Sequence, residues 1–326
     1  MKQIGIVVPE QAITSSILDT KRCLTSANEY LQAKGEQPLF KVDLVGFRKE
    51  IRQEGGAVCL TCDKTLDQTE IYDLVIVPAV TGDVMRVTQL NRHYLPWLNN
   101  QYKNGAEIAS YCVGAFILAG TGLLKGRRCA THWMYAAEFR EFYPDTILVD
   151  DKIIIEQNGI YSSGGGTSYW NLLMYLMEKF TSRQIVMSLV KHFLLDTERT
   201  SQAAFMVFTG QKKHGDALVL SVQEYIEQNY REKINIDQLA ETFAIVRRTL
   251  ERKFKKATHN SIAEYAQRIK IEAAKKAIEG GRKTMHEIMY EVGYSDMKAF
   301  RDLFQGITGL TPVAYKNKFN KPISLY

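Results

Sequence analysis

The sequence predicts two domains. The first is α/β, a mostly parallel sheet sandwiched by helices; the second is all-α and carries two helix-turn-helix units. Three observations carry this prediction. Short runs rich in Val and Ile alternate with helical patterns over the first two hundred residues. After the polar stretch "FTGQKKHGDA", residues 208–217, strand signals stop and only amphipathic helices follow. The excess positive charge also lies in that last third. Residues 212–326 hold 21 Lys and Arg against 14 Asp and Glu, a net +7, while the rest of the chain nets −1.

The bulk composition sets outer bounds. A chain of 326 residues is long enough for two cores, and 45% hydrophobic with 24% charged residues is ordinary for a soluble globular protein. No apolar run reaches membrane-span length. The opening "IGIVVP" reads as a buried first strand, without the small-residue cleavage site of a signal peptide. Five scattered cysteines suit a reducing cytoplasm better than a disulfide framework. The expected division is 1–207, a linker at 208–217, and 218–326.

In the first domain, strands are expected at 4–9, 39–47, 72–78 and 106–110. More follow in "TILVDDKIIIEQNGIYSS", with turns at 150–151 and 158–159. Helices are expected at 16–34, 84–103, 114–124 and 169–180, the last resuming toward 195. Near-continuous apolar strands between helices imply a parallel sheet covered on both faces. In such folds ligands sit beyond the carboxyl ends of the strands, where Cys112 falls.

The second domain reads as helices at 218–229, 236–243, 246–257, 261–279, 285–292 and 297–308. In "INIDQLAETFAIVRRTLERKFKKATHNS", Asp237 favours a helix start, and Leu239, Ala240 and Phe243 face a core. After a break at 244–245, Leu250 and Phe254 form an inner pair. Arg247, Arg248, Glu251, Arg252 and Lys255 stay outside. The layout returns in "TMHEIMYEVGYSDMKAFRDLFQGITG". There Gly293 permits the turn, Ser295 is placed to cap, Phe300 and Phe304 point inward, and Lys298 and Arg301 point outward. A helix with a basic outer face, held by a shorter one, is what the major groove admits. The helix at 261–279 would hold the two units at fixed separation.

Residues 217–319 resemble the DNA-binding domain of AraC/XylS-family transcription regulators. The carrying features are "LAETF", "RRTLERKFK", "EIMYEVGYSDMKAFRDLFQ" and "GLTPVAYK". The resemblance implies double-stranded DNA as a partner. Base contacts are implied for Arg248, Glu251 and Arg252 in the first unit and for Met297, Lys298 and Arg301 in the second; Lys255 and Lys256 suit phosphate contacts, though a solvated face accounts for them equally well. Two departures stand out. Val246 sits where the family has a small polar cap, and Asp302 sits where it often has a basic residue.

"EIASYCVGAFILAGTGLLKG", residues 107–126, has the form of a strand, a sharp corner and a helix, with Cys112 at the corner. Such corners expose a nucleophile, aim following amides such as that of Val113 at one point, and favour a thiolate, and Gly114 fits the sharp turn. His132 follows as a possible base. "SSGGGTS", residues 162–168, offers amides ahead of a helix, which makes Ser163, Gly164 and Gly165 candidates for holding a carboxylate or other small anion. Glycine could equally serve the turn alone. Cys59-x-x-Cys62 lacks a second pair at zinc spacing, so no metal is expected.

Residues 1–195 resemble the PfpI/ThiJ-like, class I glutamine amidotransferase-like fold, on "SYCVGAFILAGTGLLKGRRCATHW" and "YPDTILVDDKIIIEQNGIYSSGGGTSYWNLLMYLMEKF". This implies a flavodoxin-like architecture. Fusion to an AraC-type domain, with "RTSQAAFMVF" before the linker, is similar to regulators related to GlxA. Active members set an acid beside the cysteine, whereas here Ser15 takes that place; Glu10 or Asp19 would need a different loop path. The resulting expectation is a non-enzymatic, homodimeric regulator without a cofactor. Cys112, Val113, His132, Ser163, Gly164 and Gly165 would floor a pocket for a small effector; a structural cysteine at 112 and a structural histidine at 132 beside Trp133 are the plainer readings of those two residues. The alternatives are a Cys-dependent hydrolase or amidase, or a thiol redox sensor, fused to a DNA-binding domain.

Overall fold

Among the described residues, apolar alternation and turn chemistry resolve the first two hundred positions into eleven strands. The computed structural model of the chain describes residues 1–67 and 70–320, so residues 321–326 of the expected second domain lie outside the described residues. The strands are β1 (Lys2–Val7), β2 (Phe40–Gly46), β3 (Glu50–Gln53), β4 (Val58–Thr61), β5 (Lys64–Thr65), β6 (Leu74–Val77), β7 (Glu107–Ser110), β8 (Arg128–Cys129), β9 (Ile147–Leu148), β10 (Ile154–Gln157) and β11 (Ile160–Ser163). The main sheet has the order β10-β11-β7-β6-β1-β2-β5. All its pairings are parallel except β10 with β11. That hairpin turns at Asn158-Gly159 with φ of 54° and 73°, the left-handed pair a tight two-residue hairpin requires.

Helices of this unit are α1 (Thr14–Ala33), α2 (Val84–Leu90), α3 (Tyr94–Lys103), α4 (Ala115–Gly120), α5 (Ala136–Phe142), α6 (Tyr169–Phe180) and α7 (Arg183–His192). Every residue of β6 is buried, as expected for a central parallel strand. The helix expected at 84–103 is in fact two. Asn91, fully buried at their junction, accepts the Glu10 amide at 2.8 Å and donates to the Glu10 carbonyl at 3.1 Å. Helix α7 restarts after α6 because Ser182 caps it, accepting from the Ile185 amide.

The second unit contains α8 (Ala217–Gln228), α9 (Ile236–Thr242), α10 (Arg247–Thr258), α11 (Ile262–Glu279), α12 (Met285–Glu291), α13 (Met297–Thr308) and α14 (Pro312–Phe319). The chain divides into two compact units at Gln202 and Ala203. The described residues of the second unit form two cores. One gathers Val222, Leu239, Leu250, Phe254 and Tyr265; the other gathers Ile278, Ile288, Phe300, Phe304 and Tyr315. Helix α11 contributes to both. Among the described residues, no helix is long and apolar enough to cross a membrane.

Candidate functional site

The two helix-turn-helix units are copies in hydrogen-bond detail. In the first turn the amides of Phe243, Ala244 and Ile245 reach the carbonyls of Leu239, Glu241 and Ala240. In the second, the amides of Val292, Gly293 and Tyr294 reach those of Ile288, Tyr290 and Met289. The recognition helices α10 and α13 end alike. His259 and Gly309 take left-handed φ of 57° and 74°. Thr258 and Thr308 each bond back to a buried phenylalanine carbonyl at 2.8 Å, that of Phe254 and of Phe304. Ser261 and Thr311 then cap the next helices, α11 and α14. Tyr265 and Tyr315 close the two cores, their hydroxyls donating to Glu227 at 2.6 Å and to Glu279 at 2.5 Å. The match extends through four successive helices, so α8–α11 and α11–α14 are repeats that share α11.

The copies differ at the starts of their recognition helices. Val246 precedes α10 without a side-chain cap and is exposed. At α13 the cap is Asp296, which accepts the Ala299 amide at 2.9 Å; Ser295, the expected cap, lies one residue too early. At α9 the cap is Asn235, with Asp237 in the first turn. Arg248, Arg252 and Lys255 are exposed on α10, as are Lys298 and Arg301 on α13. Arg247 is engaged by both carboxylate oxygens of Asp237 at 3.0 Å and by Glu251 at 3.4 Å. Arg301 lies 3.4 Å from Asp302. Met297 is half-buried against the second core, which limits its reach toward a base.

In the first unit, Cys112 follows β7 with φ of 52°, a left-handed conformation that is strained for a side-chain-bearing residue. The sharp turn is therefore made at Cys112 itself. Gly114 is helical in φ and ψ. Its glycine is required for another reason: a Cβ there would run into the Pro78 carbonyl oxygen and lie 3.0 Å from that of Val77, at the end of β6. Thr131, fully buried, donates to the Cys112 carbonyl at 2.9 Å and holds the corner down.

The electrostatics of the corner differ from those of an activated thiol. Cys112 and Val113 are buried, and burial pushes the Cys112 thiol up to about 11 even though the amides of Val113 and Gly166 favour the thiolate. The expected lowering at a helix start is outweighed by desolvation. His132 is half-buried, and burial holds its imidazole below the usual histidine value. Its Nδ1 accepts the Met134 amide at 3.1 Å. The three carboxylate or hydroxyl candidates are engaged elsewhere. Glu10 pairs with Arg48 at 2.9 Å. Asp19 accepts the Tyr169 hydroxyl at 2.7 Å, and Ser15, which is exposed, lies beside that same hydroxyl. The Tyr169 ring lies 5.5 Å from that of Tyr111, which precedes Cys112.

The glycine turn is brought to the same corner, and two of its expected anion donors are engaged. The Gly164 amide donates to the Ile153 carbonyl at 2.8 Å, and the Gly165 amide to Gln202 Oε1 at 3.1 Å. Ser163 is fully buried, its hydroxyl turned to the Gly164 carbonyl. Gly165 lies against the His132 ring, where a Cβ would collide with the imidazole. Gln202 organises these loops. Its Nε2 donates to the carbonyls of Thr131 at 2.9 Å and Asp150 at 2.8 Å. Neither Gln202 nor Thr131 stood out in the sequence; Gln202 closes the polar run "ERTSQ" and so reads as a solvated residue.

Comparison with known proteins agrees with both halves. Residues 24–179 match the DJ-1/PfpI family, and residues 239–318 match a helix-turn-helix domain. The HTH-type transcriptional regulator GbdR of Pseudomonas aeruginosa is 26% identical over 259 residues, 78% of this chain and 68% of that one. The HTH-type transcriptional regulator GlxA of Rhizobium meliloti is 21% identical over 216 residues, 66% of each chain. Among solved structures, Drosophila melanogaster DJ-1beta superposes with a TM-score of 0.50 at 18% identity, over 60% of this chain and 98% of that one, a likeness of fold. The chain thus joins a flavodoxin-like DJ-1/PfpI domain to an AraC-type helix-turn-helix domain.

Proposed function

We propose that this chain is a sequence-specific regulator of transcription. It binds double-stranded DNA through the duplicated helix-turn-helix and is controlled by a small polar metabolite at the Cys112 corner. The observation that carries the DNA-binding reading is the repeat itself, two recognition helices with exposed basic residues on a shared α11. Two such helices held on one rod suit successive major grooves, about one helical turn (~34 Å) apart. The net +7 of residues 212–326 supplies the attraction to phosphate, and relatives named as transcriptional regulators support the assignment. Arg248 and Arg252 suit guanine edges, and Lys255 suits a phosphate.

A ligand regulates only if it binds one conformational state better than another. The corner offers a strained cysteine, a half-buried histidine and loops gathered by one glutamine, all at the carboxyl edge of the sheet. A protonated thiol, and an imidazole whose Nδ1 is already engaged, favour sensing over catalysis. The active form is read as a cytoplasmic homodimer.

Selection from a random duplex library by the full chain tests the proposal. Enrichment of one sequence with two elements about a helical turn apart is expected, with affinity falling steeply as salt rises. Failure to enrich any sequence removes the DNA-binding reading. Turnover of small amides, lost in Cys112→Ala, would replace the sensing corner with a hydrolase.

A further inference from the structure

We infer that residues 203–212 act as a strap, docked on both helix-turn-helix repeats, that carries the state of the Cys112 corner to the DNA-binding unit. This inference rests on the regulator reading above and names how the regulation is transmitted. Gln202 closes the first unit and Ala203 opens the second. The residue whose side chain gathers Gly165, Thr131 and Asp150 is therefore the last before the strap.

The strap is not a free tether. Ala204 is buried in the core of the second repeat, and the Phe205 ring meets that of Phe319 edge-on at 5.4 Å. Further along, the Phe208 ring packs edge-on against Tyr265 in the core of the first repeat, 5.2 Å between centroids. Gly210, with φ of 71°, passes close under the Tyr265 hydroxyl, where a Cβ would clash. The Gln211 carbonyl accepts from Gln223 at 3.1 Å, and Lys212 pairs with Glu227 at 2.7 Å. One short segment thus touches both cores.

Between those ends lies a buried ion pair on α11. Lys275 and Glu272 are 2.9 Å apart and both are buried. Lys275 Nζ donates to the Met206 carbonyl, and Glu272 Oε2 accepts the Phe208 amide at 3.2 Å. Two opposite charges out of water are tolerated only when their remaining hydrogen-bonding capacity is met. The strap backbone meets it here. Undocking removes a partner from each charge at once, so the strap favours two arrangements, docked or released, over a gradual slide. Helix α11 carries this pair and serves both cores, so release bears on the spacing of the recognition helices.

The test uses the full chain and the duplex enriched from the random library. Wild-type binding comes first. Its absence removes the regulator reading, and with it the strap's role in DNA binding. Gln202→Glu keeps an oxygen for the Gly165 amide and loses the donor to Thr131 and Asp150. It is measured in the wild type and in a Glu272→Leu, Lys275→Met background, where the strap loses both hydrogen bonds to α11. Transmission through the strap predicts a change in Kd of about fivefold or more for Gln202→Glu in the wild type. In the second background the change falls below about twofold, the scatter of independent sites. Equal factors in both backgrounds, or no effect in either, overturn the inference. A second measurement needs no variant. The Phe208 amide of the wild-type chain is expected to exchange hydrogen as slowly as the amides of α11; exchange at the rate of an open peptide overturns the inference even if a variant fails to fold.

Discussion

Ala244 and Gly293 occupy the same place in the two helix-turn-helix turns, both left-handed, with φ of 48° and 79°. The second repeat uses the residue for which this conformation is free of Cβ crowding, and the first does not. Ala244→Gly is therefore expected to stabilise the second unit by up to about 1 kcal/mol, since the left-handed cost for alanine is roughly 1–2 kcal/mol and glycine gives some back in chain entropy. Gly293→Ala is expected to cost more than that cost alone, because its Cβ would meet the Arg231 carbonyl oxygen. Denaturant unfolding of the full chain, followed by a probe confined to the helical unit, separates the two signs.

Gly165 gives a matching test in the first unit. Its substitution by alanine drives a methyl into the His132 ring, which is itself fixed by the Met134 amide. The expected loss is about 1–3 kcal/mol of stability, the range for overpacking a filled site. Urea unfolding monitored on the α/β unit measures it, and a neutral result would show that the imidazole moves freely.

The Cys112 thiol is pushed from the ordinary 9.0 to about 11 by burial. Between those values the unfolded chain releases a proton that the native state retains. The contribution of Cys112 to stability is therefore complete below pH 9 and declines as pH rises toward about 11. Cys112→Ser is expected to flatten that part of the stability profile. At neutral pH a thiol probe should modify the exposed Cys59 long before Cys112, read by mass spectrometry of the labelled peptides.

The recognition helices separate specificity from attraction. Arg248→Ala is expected to cost about 1–3 kcal/mol and to relax sequence preference at one base pair. Lys255→Ala is expected to weaken binding to all sequences alike and to lower the salt slope by about one. Arg247→Ala, which breaks the contacts to Asp237 and Glu251, should act mainly on stability. Binding isotherms across a salt series, on the enriched duplex and on single-base variants, distinguish the three.

The sequence by itself determined the alternation that makes a parallel sheet, the switch to helices, the basic last third and both helix-turn-helix units. These rest on periodicity and composition, which act over a few residues and are visible along the chain. It also placed Cys112 at the carboxyl edge of the sheet and grouped it with His132 and Ser163–Gly165 as candidates for one pocket. Tertiary structure alone decided the chemistry there. Desolvation depends on what packs around the thiol, and the amides of Gly164 and Gly165 are claimed by Ile153 and by Gln202, distant in sequence. It also decided that Gly114 is a matter of room beside β6 and not of φ, and that Met297 turns half into a core. The docked segment after Gln202 was illegible for the same reason: "AAFMVFTGQK", apolar at its start and glycine-containing at its end, specifies no regular element, and only the folded helices supply the buried charges that hold it.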